Sequence, residues 1–199
     1  GFFQSFKHFR IFRDSTIMSE WSRQTHSLSE WANQAFRFLT PDELNWRPDS
    51  STWSIAQNLE HLITVNETYY PVIEVVRRGR YRVPFLGRIG FLIRAMGNTV
   101  YRSVTPSQKR KTRTFPIWEP SQSTINGDIL DRFLQHQEEL ATFIDSCADL
   151  VDQKQIISSP ANRNIVYPLS SAFDIIVAHE RRHLEAADLI RIQVLQAVS

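Results

Sequence analysis

Apolar residues recur at helical spacing along this chain, and four long segments carry the pattern. In the first, about Ser19–Leu39, Trp21, Thr25, Leu28, Ala32, Ala35 and Leu39 form one stripe at steps of three and four residues, which predicts an amphipathic helix. Thr40-Pro41-Asp42-Glu43 then reads as a capping box with proline at the first helical position, opening a short turn that Pro48 ends. The second segment, about Ile55–Arg78, starts behind Ser54, with Gln57 placed to close its own capping box. Glu60, Thr64, Glu67 and Glu74 draw a narrow polar line along it. Most of the remaining circumference is apolar, so burial on more than one side is expected. The third, about Thr124–Cys147, carries Ile125, Ile129, Phe133, Leu140 and Ile144. The fourth, about Ala172–Ala197, has Ser171 as its expected N-cap and Asp174 in its first turn. No strand pattern competes, and no repeat period is visible.

The connections suggest how these helices assemble. The first two are joined by a compact turn, whereas more than forty residues, Gly79–Ser123, separate the second from the third. That insertion is long enough to run the length of a bundle, so helices two and three can lie parallel, and it contains an expected extra helix near Leu86–Tyr101. The expected fold is all-α, a four-helix bundle over residues 19–199 preceded by an extension, residues 1–18. In that extension Phe2, Phe6, Phe9 and Phe12 alternate with Lys7, Arg10 and Arg13, the pattern of a short amphipathic helix.

Composition narrows the function. Hydrophobic residues are 42% and charged residues 22%, as in globular chains. The single cysteine, Cys147, excludes an intrachain disulfide scaffold and a cysteine-based zinc finger. No uninterrupted apolar run reaches the length of a bilayer span, so a cytoplasmic protein without a transmembrane segment is expected. The net charge of +2 hides a split: Val75–Trp118 holds eleven basic residues and no acidic one. A solvated rim accounts for such a patch. The functional alternative is that Arg80 and Arg82 hold the carboxylates of an anionic small molecule. The basic run Lys109-Arg110-Lys111-Thr112-Arg113 lacks a recognition-helix pattern, so nucleic acid is not the expected partner.

The sharpest chemistry lies on the fourth helix. His179 and His183 fall on its core stripe with Ile175, Ile176, Ala186 and Ile190, and imidazoles four residues apart project the same way, so they can share one metal ion. Two core histidines bonded to other helices is the competing explanation. His61 lies in the apolar arc of the second helix and is the candidate third ligand. His136 flanks its stripe as a possible substitute, and His26 points to solvent. Three imidazoles would leave a coordination position open, the arrangement of a catalytic rather than a structural site. His179-Glu180-Arg181-Arg182-His183 also fits H-E-x-x-H. A zincin protease requires a downstream ligand and a sheet edge for substrate, which the helical continuation after His183 does not offer. Glu180 is then either near the metal, as a base or as an acceptor behind the ligands, or a solvated helix charge.

Trp53-Ser54-Ile55-Ala56-Gln57-Asn58-Leu59-Glu60-His61-Leu62 and Ala178-His179-Glu180-Arg181-Arg182-His183-Leu184 are similar to the two motifs of the DinB/YfiT-like superfamily, and Leu44-Asn45-Trp46-Arg47-Pro48 also resembles it. The resemblance spans about Ser19–Gln196. It implies an up-down-down-up bundle, a homodimer, and a metal triad of His61, His179 and His183 holding nickel or zinc. It further implies either transfer of a low-molecular-weight thiol or hydrolysis of a small-molecule substrate. Ala186 departs from the glutamine frequent three residues after the last histidine. A non-catalytic binding or assembly module with a structural or vestigial metal site is the alternative.

Overall fold

The computed structural model describes residues 18–85, 90–105, 118–120 and 124–197. The phenylalanine-rich extension, the start of the expected insertion helix and the Lys109–Arg113 run lie outside them. Along the described chain the elements are α1 (Glu20–Phe36), α2 (Pro41–Asn45), α3 (Ile55–Glu67), α4 (Tyr69–Arg77), α5 (Gly90–Val104), α6 (Ile129–Ser146), α7 (Ala148–Asp152), β1 (Ile156–Ser159), β2 (Asn162–Pro168) and α8 (Leu169–Ala197).

Both predicted capping boxes form. Thr40 accepts from the Glu43 amide while Glu43 reaches back, and Ser54 and Gln57 do the same at the head of α3. Ser19 caps α1 by accepting from the Ser22 amide. The expected second helix is divided at Thr68, because Pro71 has no N–H to give to the Glu67 carbonyl. Its second half, α4, ends in paired bonds from Gly79 N–H to Val76 and from Arg80 N–H to Val75, with Gly79 at φ 65°. That left-handed residue is what such a C-cap requires.

The principal packing is α1 and α3 each against both α6 and α8, so α1 and α3 sit across the bundle from one another. Leu28, Ala32 and Phe36 of α1 meet Ile55, Leu59 and Leu62 of α3, Ile129 and Phe133 of α6, and Leu184 and Ala187 of α8 in one core. A second core surrounds Tyr69, Phe143, Ile157, Tyr167 and Phe173 at the other end. The all-α bundle is as expected, and only the reading that no strand pattern competes is corrected: β1 and β2 form an antiparallel hairpin with an irregularity at Ser158/Ser159. Its strands cover the second core, and Tyr167 Oη lies 3.1 Å from Tyr69 Oη. The hairpin also moves the start of α8 back to Leu169, whose amide donates to the Gln155 carbonyl at 2.8 Å. Ser171 is therefore inside the helix and does not cap it. No helix of the described residues is long and apolar enough to cross a membrane.

Candidate metal centre

His61 projects from the second turn of α3, and His179 and His183 project one turn apart from the middle of α8. The packing of α3 on α8 brings the three rings together. Their centroids are 5.1 Å (His61–His179), 4.6 Å (His61–His183) and 4.5 Å (His179–His183) apart. One nitrogen from each ring lies within 4.8 Å of the others.

The outer bonds decide which nitrogens face inward. The Trp118 carbonyl can only accept, so His61 donates from Nδ1 at 2.6 Å and its Nε2 is left as a lone pair. Asn58 donates its Nδ2 to the Ser54 carbonyl, so its Oδ1 accepts from His183 Nδ1 at 2.8 Å. His183 Nε2 is thereby also a lone pair. His61 Nε2 and His179 Nε2 are 3.3 Å apart. Two nitrogens bound to one tetrahedral ion at about 2.0–2.1 Å stand roughly 3.3–3.4 Å apart, so the spacing fits a shared metal. Trp53 walls the cluster, nearly parallel to His183 at 5.7 Å and tilted on His61 at 4.9 Å.

Burial holds these imidazoles in the neutral form that binds metal. It lowers His61, partly opposed by the bond to Trp118. It lowers His179 to about 3, with the nearby His61 and Arg182 acting the same way. His183 is pushed well below its ordinary value by burial, then by the other two rings and Arg182. Among the described residues Arg182 is a cation close enough to act on the cluster, and its guanidinium donates to the Ser103 carbonyl of α5 at 2.7 Å.

Other candidates lie elsewhere. Glu180 is 0% exposed, which overturns the solvated-charge alternative. Its Oε1 accepts from Asn66 of α3 at 2.8 Å and Gln137 of α6 at 2.6 Å. It stands about 100° around α8 from His179, and its hydrogen bonds avoid the imidazoles. Burial raises its carboxyl to about 7, against the two amide bonds. His136 is buried against Tyr70, ring centroids 6.3 Å apart, and is not part of the cluster. His26 is partly covered and lies 3.3 Å from Glu138. Arg80 and Arg82 are exposed beyond the end of α4, on either side of Tyr81, whose hydroxyl binds Ser158 in the hairpin. A surface depression of about 200 Å³ between α1, α5 and α8, bordered by Trp21, Tyr101, Asp174 and Arg181, opens on the opposite side of α8 from the histidines.

Sequence reasoning missed Asn58, Trp118 and Arg182. Asn58 had a legible signal, a polar residue three positions before His61 on the same apolar helix face.

The family model described as the DinB superfamily matches residues 24–187, a span that contains all three histidines. No curated protein and no solved structure matches the chain. With most of its length covered by that family model, the chain belongs to the DinB superfamily.

Proposed function

We propose that this protein is a divalent-metal-dependent enzyme that activates a thiol or water for attack on a small electrophilic substrate, of thiol-transferase or hydrolase type. His61, His179 and His183 would hold the ion, nickel or zinc being what the family resemblance implies. When bound with a position open, such an ion lowers the pKa of a coordinated thiol or water toward neutrality. The observation that carries this reading is the 3.3 Å separation of His61 and His179 Nε2, with His61 and His183 held outward through Nδ1.

The chain's own residues supply the rest. Asn58 and the Trp118 carbonyl fix the ring orientations, and Trp53 shields one side from water. His179 and His183 stay partly accessible, so a small molecule can approach from their side. Arg182 offers a nearby positive charge for a carboxylate of a low-molecular-weight thiol or an acidic substrate, a part it would share with Arg80 and Arg82. Glu180 ties α8 to α3 and α6, a positioning part rather than that of a base. The homodimer and the cytoplasmic setting belong to this reading through the family resemblance alone.

The test is to assay the untagged, metal-loaded protein with thiol-transfer and ester or amide hydrolysis panels, beside His183→Ala. Turnover that requires both the metal and His183 supports the enzyme. Silence in every panel, with metal raising only the melting temperature, replaces it with a binding or assembly module.

A further inference from the structure

Between α3, α6 and α8 the interior keeps polar atoms that its helices do not pair. Glu180 Oε1 receives the amide nitrogens of Asn66 and Gln137 at 2.8 and 2.6 Å. Asn66 Oδ1, Gln137 Oε1 and Glu180 Oε2 then have no hydrogen-bond partner among the described residues. All three side chains belong to residues that are 0% exposed. Covalent geometry sets an upper limit on how far these atoms lie from Glu180 Oε1. An amide oxygen lies about 2.2 Å from its own nitrogen, so each of the three falls within about 5 Å of Glu180 Oε1. Tyr70 Oη and His136 Nε2 are likewise buried without a partner, one turn from Asn66 and next to Gln137 respectively.

Buried polar atoms in folded proteins are nearly always paired, so a group of orphans in one region marks a guest. The chemistry of the orphans selects it. Carboxylate and amide oxygens only accept, so the guest is either a hydrogen-bond donor such as water or a cation, and the carboxylate charge of Glu180 favours the cation. No lysine or arginine bonds to Glu180 among the described residues. Oxygen ligands suit hard cations, in contrast to the all-nitrogen cluster. One carboxylate among neutral oxygens balances a single positive charge.

We propose that Asn66, Gln137 and Glu180 form a second, buried site for a monovalent cation, Na⁺ or K⁺, separate from the three histidines. The ion would bind three helices together at the level of His179, the neighbour of Glu180 on α8.

The experiment uses the full chain, stripped of divalent metal with chelator. Its melting temperature is measured in NaCl, KCl and choline chloride at equal ionic strength. A saturable rise of several degrees in one alkali salt over choline is expected in the wild type and in His183→Ala, and is absent from Glu180→Gln. Wild-type crystals soaked in Tl⁺ should show an anomalous peak beside Glu180 Oε2, a readout independent of any variant's folding. Identical melting in alkali and choline salts, or ordered water there without anomalous signal, overturns the proposal. Neither result touches the three-histidine reading, since the test is run without divalent metal.

Discussion

Asn58→Ala tests how the imidazoles are held. The Asn58 side chain is buried and makes two bonds of 2.8 Å, one to the Ser54 carbonyl and one from His183 Nδ1. Truncation leaves His183 Nδ1 without its acceptor and free to exchange tautomers, so a fraction of the rings presents a protonated Nε2 to the metal. Removing an outer acceptor of this kind costs typically about 10–100-fold in metal affinity, equivalent to roughly 1.4–2.7 kcal/mol. The apo protein should lose about 1–3 kcal/mol for the orphaned buried partners. Asn58→Asp keeps the acceptor and should recover most of the affinity, even where it costs stability. The assay is competition for Zn²⁺ and Ni²⁺ against a chromophoric chelator, with folding checked by circular dichroism. Affinity of folded Asn58→Ala within twofold of wild type would refute the outer-bond argument, because His183 would then not depend on Asn58.

Three further outcomes are expected. Burial lowers His136 to about 4; an unfolded histidine titrates near 6.5, so the unfolded chain binds the extra proton first as pH falls. The metal-free protein should therefore lose stability from pH 6.5 toward 4, by up to about 3 kcal/mol from this ring, and denaturant titrations of His136→Asn should show a shallower fall. Lys154 sits at φ 54° behind α7, with its amide bonded to the Val151 carbonyl; Lys154→Gly should raise stability by about 0.5–1 kcal/mol in urea unfolding, and a loss would contradict the left-handed cap. A Cβ at Gly127 would lie 2.8 Å from Pro41 Cγ; Gly127→Ala should cost about 1–3 kcal/mol by the same measurement, with no change expected in metal affinity.

The legible parts of this fold are those set by local physics. Thr40 with Glu43 and Ser54 with Gln57 act within one turn, so their capping boxes could be read from spacing and occur as read. His179 and His183 share a helix face, and His61 was placed by the arc it occupies, so the cluster needed only the packing of α3 on α8. The break before Pro71 was readable too, yet the apolar stripe ran through it and masked the missing N–H. The hairpin was hidden because Asn162, Arg163 and Asn164 are exposed and polar, and the strand pairing is irregular at Ser158/Ser159. The Trp118 carbonyl reaches His61 across 57 residues of sequence, a contact that no periodicity encodes. Glu180 was drawn toward the metal by its place in H-E-x-x-H, whereas the helical turn aims it at Asn66 and Gln137.

The most direct measurement is the metal content of untagged protein by elemental analysis, wild type beside His61→Ala and His183→Ala, with reconstitution in Ni²⁺ or Zn²⁺. The account predicts close to one divalent ion per wild-type chain after reconstitution, and little in either folded variant. A wild type that stays empty, or variants that retain the ion, would contradict it.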